Sequence, residues 1–413
     1  MTTRSVLPLR RTLPLAAAAL LLLGFGLLAR GDTTLAPIVL VSGYLVVVPL
    51  WLRFARRESV PSPRAGHRRS AAVERHPSGS GPRRLTPNGR AWLLTSPVLL
   101  IALVPLAGNW RHAPRRGDYT TLAFAHDLLD SVEPYGVLVT YGDNDTFPLW
   151  YAQEVEGIRK DVTVAVLSLL NTDWYVRGII RRPIYPYDEA RGPAIYRGTS
   201  WPMPAGSPMQ LTLAQADSIP NYVLLREPML LRKAGLTAIV SPETLPRAAD
   251  GSGILERKDI AVLRMIADSW PQRPIYFSRT TGNYAQSLGL SGFTLSQGLA
   301  SKLFLPPATP PRDTVDIRGS GWFDLPRSRA LFMDVFRGPR AIEKHGDWVD
   351  RPSVGIPLTY IFAAEELGAV LRAKGQSASA AAVLDTGARI AHAVHEDSTY
   401  AAIHNAWQSA TLR

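Results

Sequence analysis

Three long apolar runs, Thr12 to Ala29, Leu35 to Leu52 and Ala91 to Ala107, constrain this chain of 413 residues more than any other feature. Each holds 17 to 18 residues without a charge, close to the least that carries a helix across a hydrocarbon layer ~30 Å thick. They read as three transmembrane helices. Between the second and third, Arg53 to Arg90 carries ten arginines against Glu58 and Glu74, with many Pro, Ser and Gly. Such a stretch stays on the cytoplasmic side. With Arg4, Arg10 and Arg11 ahead of the first run, the same rule puts the N-terminus inside, the turn Gly31 to Thr34 outside, and everything after Trp110 outside. The expectation is a multi-pass protein of the cell inner membrane with a periplasmic domain. A cleaved signal peptide is the rival reading of the start. A second run begins almost at once, which favours an anchored helical hairpin.

The net charge of +12 alone suggests a nucleic-acid partner, but residues 1 to 111 carry all of it and the remainder balances. The basic excess therefore belongs to topology and to anionic headgroups of the lipid bilayer, and no nucleic acid is expected. The absence of cysteine excludes disulfides, thiolate metal sites and cysteine nucleophiles. An exported part of this length must rely on its apolar core.

Beyond the membrane segments the spacing predicts an α/β class. A helix spans Asp118 to Val132, a short buried strand Gly136 to Thr140, a turn Gly142 to Phe147, and a helix Pro148 to Val155 with proline in its first turn. A second strand covers Asp161 to Ser168 and a helix Thr172 to Ile180. Alternation of this kind favours a mainly parallel sheet. Arg181 to Gly253, rich in Pro, Gly and aromatics, reads as an irregular insertion. A helix over Asp259 to Trp270, a strand at Pro274 to Ser278 and one or two strands in Gly292 to Leu305 follow. Leu358 to Lys374 and Ala378 to Val394 read as amphipathic helices joined around Gly375, a hairpin of tetratricopeptide-like type. The expected divisions are a membrane hairpin (1–52), a basic linker (53–90), a third membrane helix (91–110), an extracytoplasmic α/β domain (111–340) and a helical tail (341–413).

The densest polar cluster, Tyr141-Gly-Asp-Asn-Asp-Thr-Phe-Pro-Leu-Trp150, directly follows the first strand. Asp143, Asn144 and Asp145 thus stand at a strand's C-terminal end, where open α/β sheets hold ligands. Two carboxylates there offer a divalent cation oxygen ligands; the plainer reading is a tight turn with Asp145 or Thr146 capping the next helix. The second strand ends in Asn171 and Asp173, and the third runs into Arg279-Thr-Thr-Gly-Asn283. If all three strands are parallel, one crevice holds Asp143, Asp145, Asn171, Asp173, Arg279 and Asn283, with a cation and two hydroxyls on its rim. Trp150, Trp174 and Tyr175 either stack on sugar rings or pack in the core, and Arg279 either meets a ligand or pairs with an aspartate. The eight histidines form no close ligand pair, and neither a Gly-x-Ser-x-Gly elbow nor a phosphate-binding glycine loop occurs. No catalytic residue is assigned.

GDNDTFPLWYAQEVEGIRKDV (Gly142 to Val162), LSLLNTDWY (Leu167 to Tyr175) and RPIYFS (Arg273 to Ser278) resemble the exported C-terminal region of a family of multi-pass bacterial membrane proteins. That family is related to the vertebrate transmembrane protein O-mannosyltransferase, within the glycosyltransferase C superfamily. The resemblance covers roughly 91 to 394. It implies polyprenyl-phosphate sugar donors and a catalytic acid in the first extracytoplasmic loop. Here that loop is Gly31 to Thr34, with Asp32 its one acid, and three apolar runs stand where family members carry many. The expectation is a protein that binds acceptor protein or glycan beside a separate or missing multi-pass catalytic subunit. The alternatives are a non-catalytic anchored scaffold and an autonomous transferase using a metal at Asp143 and Asp145.

Overall fold

The computed structural model describes residues 16, 18–27, 30, 35–43 and 117–408, save 310, 318–320, 347 and 349–350. The chain divides into two compact units, Met1–Arg115 and Arg116–Arg413. In the first, helices Ala18–Leu27 and Leu35–Val41 lie side by side. A Cβ on Gly24 would stand 2.7 Å from the Leu40 side chain and one on Gly43 3.2 Å from Leu21, so small residues set the approach of the pair. The basic linker and the run Ala91 to Ala107 lie outside the described residues.

The second unit is built on a seven-stranded sheet. Its strands are β1 (Val137–Thr140), β2 (Thr163–Val166), β7 (Ile275–Ser278), β8 (Thr294–Gln297), β9 (Ala300–Leu303), β10 (Thr314–Ile317) and β11 (Gly321–Asp324), in the order β10-β11-β8-β9-β7-β1-β2. β1 lies parallel to both β2 and β7. β9 runs antiparallel to β7 and to β8, β11 parallel to β8, and β10 antiparallel to β11. Five strands therefore point one way. β1, β2 and β7 are buried along their whole length, as expected of strands covered on both faces, although β2 stands at the sheet's edge. Arg273 holds their starting ends together. Its Nε donates to the Tyr135 carbonyl at 2.7 Å, and the same guanidinium donates to the Thr163 hydroxyl at 2.7 Å. Burial brings its pKa down to about 10.

The helices used below are α1 (Thr120–Asp130), α2 (Asp143–Trp150), α3 (Leu167–Leu170), α4 (Asp173–Arg181), α5 (Leu213–Asp217), α6 (Arg257–Ser269), α7 (Tyr284–Ser287), α8 (Leu325–Ala330), α9 (Gly338–His345), α10 (Gly355–Ala373), α11 (Ser377–Ala393) and α12 (Asp397–Gln408). Most expected elements are present with shorter strands. The largest difference in a start is at α2, which begins at Asp143, so that Pro148 lies inside it rather than in its first turn. The Asp145 carboxylate turns back onto the Gly142 N–H at 3.3 Å, which closes the helix end before the proline. The helix then continues as a π turn, Tyr151–Val155. The insertion 181–253 is also more regular than its composition suggested. It contains α5, the strand β3 (Tyr222–Leu225) paired with β6 (Gly253–Glu256), and a hairpin of β4 (Met229–Lys233) with β5 (Leu236–Val240).

Two buried polar knots fasten the elements of this unit together. Arg159 donates to the Leu129 and Val132 carbonyls at 2.7 and 2.9 Å and grips both oxygens of Asp161 at 3.0 Å. Asp130 stands 3.8 Å away, and the rings of Tyr187 and Tyr196 flank the guanidinium. In the second knot Asp127 of α1 accepts from the Arg337 and Gly338 N–H groups and from the Tyr360 hydroxyl, the last two at 2.7 Å. It thereby caps α9 from outside and ties in α10.

Only one described helical stretch, Arg351–Ala373, is long and apolar enough to cross a membrane, and 78% of it is buried within its own unit. It is a core helix. α10 and α11 pair around Gly375, whose φ of 73° suits glycine, and α12 adds a third helix that the sequence pattern did not disclose.

Candidate functional site

The C-terminal ends of β1, β2 and β7 open into a cleft of ≈ 730 Å³. Its walls come from the loop after β1 (Tyr141, Gly142, Asp143, Asn144, Asp145), from the start of α3 (Leu167, Ser168) with Asn171, and from Thr280 after β7. Glu256 and Lys258 at the start of α6, with Gly355, Ile356 and Thr359 at the start of α10, complete it.

Inside the cleft the two loop aspartates differ. Asp145 is buried and accepts from the Tyr141 and Gly142 N–H groups at 3.3 Å and from the Thr280 hydroxyl. Burial raises its pKa, and the Thr280 and backbone donors act against that rise. Both its oxygens are engaged, so it stitches the β1 and β7 ends together. Asp143 is exposed on the rim, with no hydrogen bond to another described residue. Asn144 donates to the Pro352 carbonyl at 3.1 Å, joining α2 to the turn before α10. Asn171 donates to Glu256 at 3.2 Å and accepts the Lys258 N–H at 2.9 Å, while the Lys258 ammonium pairs with Glu256. That lysine and an Asn171 donor hold the Glu256 pKa low.

The anticipated crevice is thus partly assembled. Asp143, Asn144, Asp145 and Asn171 meet in it, and one of the two expected hydroxyls, Thr280, lines it. Asp173 does not: it pairs with Arg257 at 2.7 Å. Arg279 pairs with Glu366 of α10 rather than with an aspartate, and its Nε donates to the Gly298 carbonyl at 2.8 Å. Asn283 is exposed at the start of α7, outside the cleft wall. Tyr175 belongs to the core, its hydroxyl donating to the Val164 carbonyl at 2.9 Å and accepting the Val166 N–H at 3.1 Å. Tyr175→Phe is expected to cost about 1–3 kcal/mol by leaving both backbone groups unpaired, measured by denaturant unfolding. Trp150 is half-buried and touches Phe147 and Tyr175, and Trp174, 59% exposed, meets Tyr175 edge-on. Neither tryptophan lines the cleft.

Glu256, Lys258 and Thr359 were not singled out by sequence. The Glu256-x-x-Asp259 spacing that opens α6 is a legible capping signal, with Glu256 N–H donating to Asp259 at 2.8 Å; Thr359 carries no comparable mark. Among the described residues no group of three or more His, Asp or Glu is arranged to hold a metal ion. Asp145 is already engaged by three donors, and Asp143 stands exposed on the rim.

A family model described as TMEM260-associated domain 2 matches residues 121–189. This stretch is similar to that domain. The match relates it to a domain associated with TMEM260. It runs from α1 to just past α4 and includes both knots' α1 contributions, Arg159, and the cleft residues from Tyr141 to Asn171. No match was found among curated proteins or among solved structures.

Proposed function

We propose that this is a membrane-anchored protein related to glycosyltransferase C type protein O-mannosyltransferases, whose second unit binds acceptor protein or glycan in the cleft. In this reading sugar transfer is carried out by a separate multi-pass catalytic subunit. The apolar N-terminal runs anchor the chain in the inner membrane, the arginine-rich linker stays cytoplasmic, and the second unit faces the periplasm. The α10–α11 hairpin serves as a tetratricopeptide-like docking element for that subunit.

One observation carries the reading: the stretch similar to a TMEM260-associated domain supplies most of the residues that wall the cleft. The wall chemistry agrees with it. Asp143 brings an exposed carboxylate, Ser168 and Thr359 hydroxyls, Tyr141 a phenol, and Leu167 and Ile356 an apolar floor. Neutral polyols are bound by such sets of oxygens. The engagement of Asn144, Asp145 and Asn171 in holding the fold together favours a second reading, a non-catalytic scaffold module in which this loop is structural.

Calorimetric titration of the full chain in detergent with an O-mannosylated serine/threonine peptide separates the two. Binding is expected, and Asp143→Ala is expected to weaken it at least about tenfold, the loss of one hydrogen bond to a charged group. Absence of binding to the native protein would leave the scaffold reading.

A further inference from the structure

We infer that β3 is a docking edge for an extended peptide, which joins it as an added strand and continues into the cleft. The inference rests on the cleft being the ligand site. Among the described residues β3 pairs with β6 alone. Its sequence, Tyr222-Val-Leu-Leu225, holds no charge and no proline, yet Tyr222 is 59% exposed and Val223 and Leu224 are each 41% exposed. Successive strand residues face opposite sides, so neither side of this strand is fully covered. Edge strands in stable proteins are commonly blunted by lysine, proline or a bulge. β3 has none of these within it; Pro220 and Pro228 stand beyond its two ends.

The direction of the edge identifies the occupant. In the β3–β6 register Tyr222 lies opposite Glu256, a cleft-wall residue. A chain laid along the outer edge of β3 therefore leaves it beside the cleft. A cleft ligand that is a residue of a polypeptide needs a place for its neighbouring residues. An extended stretch fits here because its backbone completes the unpaired edge while alternate side chains cover Tyr222 and Leu224 on one side and Val223 on the other. A helical segment or a lipid offers no such backbone row.

The test is amide hydrogen exchange on the full chain in detergent, with a short synthetic peptide of alternating valine and threonine bearing lysine at both ends. Slowed exchange at 222–225 is expected, and Val223→Lys should weaken peptide binding about tenfold or more, a charge on the edge being a natural block to strand addition. Leu224→Asn, a milder change at a half-exposed position, should weaken it in the same sense. Peptide binding with unchanged exchange at 222–225 overturns the inference, as does no peptide binding at all. Sedimentation showing that the peptide-free chain self-associates, with Val223→Lys restoring the monomer, overturns it too, since a second copy then owns the edge. Retained binding of a free mannose oligosaccharide sensitive to Asp143→Ala, alongside any of these failures, leaves the cleft reading standing and removes only the strand.

Discussion

Replacing Arg159 by methionine is expected to remove about 3–5 kcal/mol of stability from the second unit, enough to unfold a typical domain under mild stress. The side chain is buried, and its guanidinium makes four hydrogen bonds. The Leu129 and Val132 carbonyls at the end of α1 each lose a donor, and Asp161 loses both bonds that neutralise it. Asp161 also accepts the Tyr135 N–H at 3.1 Å, where φ is +64°, so the turn into β1 loosens with it. Burial already raises the Asp130 pKa against the opposing charge of Arg159; without that charge Asp130 is driven further toward its neutral form. Arg159→Lys should recover only part of the loss, because an ammonium cannot grip Asp161 with a planar fork. Denaturant unfolding followed by tryptophan fluorescence checks both variants. A loss below about 1 kcal/mol for the methionine variant would show that the knot adds little.

The second large effect concerns pH. Burial lifts the Asp127 carboxyl to about 7, although the Arg337 and Gly338 amides and the Tyr360 hydroxyl favour its charge. Its folded pKa thus lies above the unfolded value near 3.8, and between the two the native state binds the extra proton. The contribution to stability is full below about pH 4 and is lost as pH rises through 7, with a ceiling on the order of 4 kcal/mol. Asp127→Asn keeps the site neutral throughout: with its amide oxygen in the place of Oδ2 it still accepts from the Gly338 N–H and the Tyr360 hydroxyl, while its NH₂ faces the Arg337 N–H, a cost that does not vary with pH. Relative to the native protein, the variant should gain stability steadily from pH 4 to pH 8. A difference that does not vary with pH would mean that Asp127 titrates in the ordinary carboxylate range.

How much of this was legible in the sequence depended on distance along the chain. β1, β2 and β7 were visible because strands covered on both faces are short continuous apolar runs bounded by turn residues. α2 was placed too late because a proline is a strong start signal, whereas the Asp145 cap that overrides it is a side-chain geometry. β3 escaped notice because an exposed apolar strand has no alternation to betray it. In the cleft, the loop Asp143 to Asp145 and Asn171 could be grouped since parallel strands bring their ends to one edge. The fates of Asp173 and Arg279 could not be foreseen, because their partners, Arg257 and Glu366, lie 84 and 87 residues away by number. Thr359 reached the cleft only through the packing of α10.

The same α10 bears on how such a chain is sorted as it is made. An insertion pore that weighs greasiness segment by segment meets Arg351–Ala373 at a mean hydropathy of 1.4, before any sheet exists to shelter it. Glu365 and Glu366 sit side by side in its second half, and an acidic group well inside a spanning helix adds on the order of 2–3 kcal/mol to lateral release into lipid. Once the chain closes, one of them meets His404 at 3.0 Å and the other Arg279. In the proposed topology, two adjacent carboxylates would thus first keep a greasy stretch out of the lipid and later fasten it in place.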